Sequence, residues 1–339
     1  INVRSVFGLL PIEADAIARA LGTDGHERIF LGSSLTDREC RELIYVASDH
    51  EPSGLVAALL PGPIETSAAA YCPPDTLVFA TGHFDGHRVE NSVREFLTAL
   101  PTEARREVVE EVGRELRHAP PAMAEFAKRL SGLQALATIA VPIPGPTHLI
   151  PHPLVVLETP DAAGFVAGLA EDLQLDSQDF RGTTVHFKRL DAEIQVTPSI
   201  CVHDGRVLAS SDVLTLKAAL VRKSGEKPSL ADVDGQGAAA ESSGGVLAWV
   251  RSRVAIEHYW PMLHAFASGV AAEHEELELG AIPEADEVVA ATPDIRLIAS
   301  RHAHGLDVWS ESPIGTATWL AFAGDFLDRL LTMDVPKTD

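Results

Sequence analysis

Cysteine is scarce, with only three residues in 339. Cys40, Cys72 and Cys201 stand far apart and form no Cys-x-x-Cys. That excludes zinc ribbons, thioredoxin-like motifs and a disulfide framework, leaving room for at most one bridge. Basic residues are also few: 27 Lys and Arg stand against 49 Asp and Glu, a net charge of −22. Nucleic acid and anionic membrane surfaces are recruited by Lys and Arg, so neither is an expected partner. No run of about 18 apolar residues occurs, so no transmembrane segment is expected. Nor is there a Walker A loop, a GxSxG elbow, an SxxK or an HExxH. The only GxG, Gly235-Gln236-Gly237, lacks a third glycine and follows no strand. Aromatics make up 6%.

What is present is a 46% hydrophobic, 22% charged chain, which excludes disorder and points to a folded, acidic protein. Its length corresponds to two domains. The chain begins at Ile1, with no basic and apolar leader, so we expect a processed or excised chain. The cysteine count suits a reducing cytoplasm and is compatible with a periplasm.

The strongest local signal is a hairpin. β-rich residues 192–196 and 199–202 lead into Asp204-Gly205 and then 206–210, and Asp-Gly favours a type I′ turn. Pro198 marks an edge or bulge. Residues 183–188 alternate as a strand, and 154–158 form a buried-strand candidate. Asp161 caps a helix with Phe165, Val166, Leu169 and Leu173 on one face, and Ser210-Ser211-Asp212 caps another with Leu216 and Leu220. The segment 154–223 therefore reads β-α-β-β-β-α. Two more helices are expected, one carrying Val89, Val93, Phe96, Leu97 and Leu100, the other Val108, Val109, Val112 and Leu116. Residues 224–245 read as a linker, and the proline-rich 142–153 as a softer boundary.

Three ordered pairs of similar segments suggest duplication with a period of roughly 170 residues. The stretch from Gly25 matches that from Asp204 as turn, strand, Ser-Ser corner and helix. His304 onward repeats the strand and corner. The stretch from Thr76 matches that from Gly245, and Leu9 onward matches Gly280 onward. The expected architecture is α+β, antiparallel sheets flanked by helices in a duplicated module. Its divisions are 1–72 as the tail of a repeat, 73–225 as the central module and 226–339 as the C-terminal module.

Chemistry-bearing residues are thin. Fourteen histidines are the unusual feature. His83 and His87 flank Asp85 in GHFDGH, His302 and His304 flank Ala303, and His148 and His152 lie among prolines. Neutral imidazoles and a carboxylate are what a divalent metal needs, provided they converge. On a strand 302 and 304 share a side, and on a helix 83 and 87 do. Phe84-Asp85-Gly86 reads as a turn, however, which makes these first of all turn and rim histidines. The serines at 33–34 and 210–211 read as caps, the acidic run 273–278 as a solvated helix face. Trp249, Tyr259, Trp260, Trp309 and Trp319 read as core, with a partner or sugar groove as the sharper alternative.

Four stretches carry a resemblance: PPDTLVFATGHFDG from Pro73, PLVVLETPDAAGFVAGL from Pro153, HDGRVLASSDVLTLKAAL from His203 and PSLADV from Pro228. They resemble a family of exported bacterial proteins known only as a domain of unknown function, over about half the chain in good register. GLDVWSESPIG from Gly305 looks like the closing strand of larger relatives. The resemblance implies export, an α+β repeat architecture and no assigned reaction, and it transfers no active residue. The functional expectation is a non-catalytic periplasmic or envelope module that binds a protein partner or assembles with itself, with no cofactor. One alternative is a metal-dependent hydrolase using His83, Asp85 and His87, with His302 and His304, and Asp85 or Glu311 as proton carrier. Another is a small-ligand protein with a pocket between modules.

Overall fold

The computed structural model describes residues 26–36, 40–48, 53–59, 65–100, 102, 105–106, 109–110, 128–130, 132–143, 151–189, 196–233, 245–273, 283–302 and 305–313. These form a mixed α+β fold around one twelve-stranded sheet. The strands are β1 (His26–Leu35), β2 (Cys40–Ser48), β3 (Thr76–Asp85), β4 (Gln134–Pro142), β5 (Leu154–Glu158), β6 (Asp176–Phe180), β7 (Thr183–Phe187), β8 (Ser199–His203), β9 (Arg206–Ser210), β10 (Val246–Val250), β11 (Ile295–His302) and β12 (Gly305–Ser312). Their spatial order is β1-β2-β12-β11-β10-β3-β4-β5-β9-β8-β7-β6, and every neighbouring pair is antiparallel. The helices are α1 (Gly54–Leu59), α2 (Gly86–Ala99), α3 (Ala162–Asp172), α4 (Val213–Lys223), α5 (Ser252–Glu273) and α6 (Ala285–Ala291), with 3-10 turns at Ser67–Tyr71 and Leu230–Asp232.

One register row runs through all twelve strands: Gln178, Val185, Cys201, Leu208, Val156, Thr138, Thr81, Leu247, Ile298, Trp309, Leu43 and Gly32. Strand side chains alternate between faces, so this row and its i±2 neighbours define one face. On it Phe79, Ala140, Leu154, Val156, Leu208 and Cys201 pack under the 67–71 turn, α4 and Leu230. The opposite face carries Leu157, Val207 and Ile200, covered by Phe165, Val166 and Leu169 of α3. The central strands are thus apolar on both faces because each face has its own cover. Strand segments from 1–72, 73–225 and 226–339 all contribute to the same sheet.

Local chemistry explains the joints. Asp204 and Gly205 have φ of 49° and 74°, as a type I′ turn between β8 and β9 requires. Arg181 and Gly182 repeat it between β6 and β7 with φ of 56° and 78°. Asp161 Oδ1 accepts from Gly164 N at 2.9 Å and Asp212 Oδ2 from Thr215 N at 2.7 Å, so both expected caps form. At that second corner Ser210 Oγ accepts from Asp212 N, and Ser211 Oγ contacts His152 Nδ1 at 3.0 Å. At Gly245, φ is 134° and a Cβ would lie 1.5 Å from Ala299 O, so the entry to β10 has no room for a side chain.

The structure departs from the sequence reading in several places. Segment 154–223 holds one more strand than expected: β6, DSQDF, is a polar edge strand with no hydrophobic alternation to announce it. The stretch from Gly25 is a β1–β2 hairpin rather than strand, corner and helix. Ser33 and Ser34 lie inside β1, and Cys40-Arg41-Glu42-Leu43 opens β2, where Cys40 is buried. That pair of segments therefore adopts different structures. The second pair does share a form, since β3 runs into α2 and β10 into α5, and β3 and β10 are direct neighbours. Phe84-Asp85 is strand, not turn, and Asp85 passes directly into α2 as its cap. The first part of the expected linker is packed: Leu230 is fully buried and its N–H donates to Cys72 O at 2.8 Å. The three cysteines are free and buried, so no bridge forms. The helix expected around Val108–Leu116 and the first member of the Leu9/Gly280 pair lie largely or wholly outside the described residues.

Candidate functional site

One end of the 67–71-covered face is polar. Thr81, His83 and Asp85 alternate along β3 on that side, because a strand repeats every two residues. His83 pairs across to Leu136, Leu136 to Glu158, Glu158 to Arg206, and Arg206 to His203, giving one row over five strands. Asp85 pairs with Gln134 in the next row out. The segment Glu65–Tyr71 crosses above them, held by a hydrogen bond from Thr81 Oγ1 to Glu65 O at 3.0 Å. Together Glu65, His83, Asp85, Arg88, Gln134 and Glu158 line an open groove of about 340 Å³.

The groove's charges are largely occupied. Asp85 Oδ1 accepts from Arg88 N at 3.1 Å, capping α2, and Oδ2 accepts from Gln134 Nε2 at 2.8 Å. Arg88 Nε stands 3.5 Å from the same Oδ2. Arg206 Nη2 lies 2.5 Å from Glu158 Oε1 and donates to Ser67 Oγ at 2.9 Å, while Ser67 donates to Glu158 Oε1 at 3.2 Å. At the far end of the row Tyr71 OH contacts His203 Nδ1 at 3.2 Å, with the two rings nearly perpendicular. Burial, reinforced by the Asp204 charge, pushes the Tyr71 phenol up to about 12, against the pull of Arg206. His83 Nε2 is buried without a hydrogen-bond partner. The arrangement fixes the 65–71 segment on the sheet and presents paired charges at the rim. The Asp85 carboxylate acts as a helix cap and the Glu158 carboxylate as an ion-pair partner.

Of the residues singled out from sequence, His83 and Asp85 come together on β3. His87 sits on the exposed first turn of α2. His302 ends β11, two strands from β3, and His304 lies outside the described residues, as does His148. Among the described residues no group of three or more His, Cys, Asp or Glu side chains is placed to share an ion. Glu311 of β12 pairs with Arg41 at 3.1 Å. Trp249 is core, its Nε1 donating to Asp294 Oδ2 at 3.2 Å, and Trp260 donates to Pro283 O at 3.1 Å.

Sequence reasoning did not find Glu65, Gln134, Glu158, Arg206 or His203, because the row draws on segments up to about 140 residues apart and only strand register joins them. The available signal was Thr81-x-His83-x-Asp85, polar residues at strand spacing after an apolar run. A second groove of about 560 Å³ lies between Ala163, Val166 and Ala167 of α3 and Thr184, His186 and Val202 of the sheet. No family model, no curated protein and no solved structure matches this chain.

Proposed function

We propose that this chain is a non-catalytic binding or assembly module of the periplasm or cell envelope, engaging a protein partner or further copies of itself. The observation that carries this reading is the outer strand β1. Phe30, Leu31 and Leu35 are 53%, 63% and 81% exposed. Phe30 and Leu31 are on opposite faces of the sheet by alternation. Among the described residues β1 pairs only with β2, leaving a ten-residue backbone edge open. An exposed apolar edge strand is a template for strand addition; the register of β1 is irregular only at its start, between His26 and Arg28, and is regular along the apolar stretch from Phe30 to Leu35. No helix among the described residues is long and apolar enough to cross a membrane.

Hydrogen exchange on β1 tests the reading. At working concentration the β1 amides that do not face β2 are expected to be protected and to become labile in Leu31→Lys or on dilution. Free exchange of those amides at every concentration, alone or with the chain's natural binding partners present, contradicts it.

The groove at His83 and Asp85 favours a second reading, as a small-ligand site or a divalent-metal hydrolase. That version requires His83→Ala to abolish a measured ligand or metal uptake.

A further inference from the structure

The twelve-stranded sheet ends on two unlike edges. β6 is five residues long, pairs only with β7 among the described residues, and carries exposed Asp176 and Asp179. Charge on a short strand is how an edge is kept from taking another strand. β1 is ten residues long, and the sequence has no charged residue between Arg28 and Asp37. Its exposed segment Leu31-Gly32-Ser33-Ser34-Leu35 is close to a palindrome. A leucine stands two places to either side of Ser33, and a small residue one place to either side. Leu31, Ser33 and Leu35 share one face of the strand by alternation. Ile44, paired with Leu31 across β2, is half-buried.

We infer that the occupant of the β1 edge is the β1 of a second copy, paired antiparallel about a two-fold axis that passes through Ser33 normal to the sheet. This rests on the reading of the chain as an assembly module and names the partner. Such an axis keeps each face of the sheet on its own side. Leu31 then meets Leu35 of the other copy, Gly32 meets Ser34, and Ser33 meets its own mate. A two-fold contact must be self-complementary, a condition that a foreign strand does not impose. The segment meets it in this register. Moving the axis to Gly32 sets Leu31 against Ser33 and Phe30 against Ser34, an apolar side chain against a polar one in both cases. About Ser33 four leucines gather on one face of the seam, and such cross-strand apolar pairs are what stabilise a strand pairing. A chain with a net charge of −22 repels its own copies, and the uncharged segment joins them without setting like charges face to face. Because the β6 edge is blunted, the pairing closes at two copies, whereas addition of β1 to β6 would run on as a filament.

Sedimentation velocity of the full chain over about a hundredfold concentration range tests the proposal. Wild type is expected to pass from monomer to dimer and to stop there. Leu31→Glu alone and Leu35→Lys alone should each weaken the dimer at least about tenfold, with the melting temperature of the monomer unchanged because both positions are exposed. The double variant should restore the dimer, which only a register pairing 31 with 35 predicts. Growth beyond two copies overturns the closed pairing. A dimer that neither single change weakens overturns the β1 seam, while the assembly reading stands on another surface. A dimer weakened by both and not restored by the double change overturns the register about Ser33. If wild type is monomeric throughout and its natural binding partners protect the β1 amides from exchange, self-pairing is overturned and the binding reading stands. If it is monomeric and those amides exchange freely in every case, both fall.

Discussion

Thr138 Oγ1 donates to Thr81 Oγ1 at 2.9 Å across β3 and β4, and Thr81 in turn donates to Glu65 O at 3.0 Å. Both threonines are almost wholly buried at the centre of the register row. This relay ties the loop that roofs the polar groove to the middle of the sheet. Thr81→Val removes the donor to Glu65 and leaves the Thr138 hydroxyl without its acceptor. A buried polar group left unmatched costs about 1–3 kcal/mol. The pair Thr81→Val with Thr138→Val should cost less than the sum of the single changes, because neither hydroxyl is then stranded. Urea titration of the four proteins in the cycle measures this directly.

Asp85 ends β3, caps α2 and holds Gln134, so Asp85→Ala removes three contacts at once. Loss of an N-cap alone costs about 0.5–2 kcal/mol. The expected result is a loss at the upper end of that range, while Asp85→Asn, which still accepts from Arg88 N, retains most of the stability. Equal loss in both variants would show that the negative charge beside Arg88 matters more than the cap.

Leu230→Ala should be among the most damaging single changes outside a strand or α-helix. The side chain is fully buried beneath the Tyr71 and Cys72 segment, and its backbone N–H holds Cys72 O. Truncating a buried leucine costs about 2–5 kcal/mol. A change below 1 kcal/mol in denaturant midpoint analysis would mean that 228–233 is a tether after all.

Burial pushes the Cys72 thiol up to about 12, against the charge of Arg222, and pushes Cys201 up to about 12 as well. Tyr71 rises to about 12 beside them. An unfolded thiol ionises near pH 8.5. Above that pH the unfolded chain sheds protons that the folded chain keeps, so ionisation favours unfolding. Stability from these groups is complete below about pH 8.5 and falls as pH rises toward 12. The urea midpoint should drop between pH 8 and pH 10.5, and drop less in Cys72→Ala. At pH 8 neither thiol should react with a disulfide reagent until the protein unfolds.

The parts of the fold that were legible in sequence are those where local chemistry decides alone. Asp204-Gly205, Asp161 and Asp212 each specify their turn or cap from one or two residues, and all three form as read. The α3 and α4 faces follow from helical spacing. What was not legible depends on strand register. Cys40-Arg41-Glu42-Leu43 is strand rather than helix because β2 lies between β1 and β12, and its neighbours outweigh the helix propensity of Arg, Glu and Leu. β6 is polar because it is an edge, so it has no apolar period to detect. The candidate groove was half legible: His83 and Asp85 stand out in sequence, although Phe84-Asp85 reads as a turn there, and Glu158, Arg206 and His203 join them only through four successive strand pairings. PSLADV looked like a linker because one leucine among small and polar residues gives no periodic signal, although that leucine is core.

Native mass spectrometry of the chain purified without chelator tests the central claim most directly. A binding and assembly module predicts a metal-free dimer, higher oligomer or partner complex that dissociates when the β1 edge is charged. A monomer carrying one metal ion, lost when His83 and His87 are changed to Ala, would contradict it.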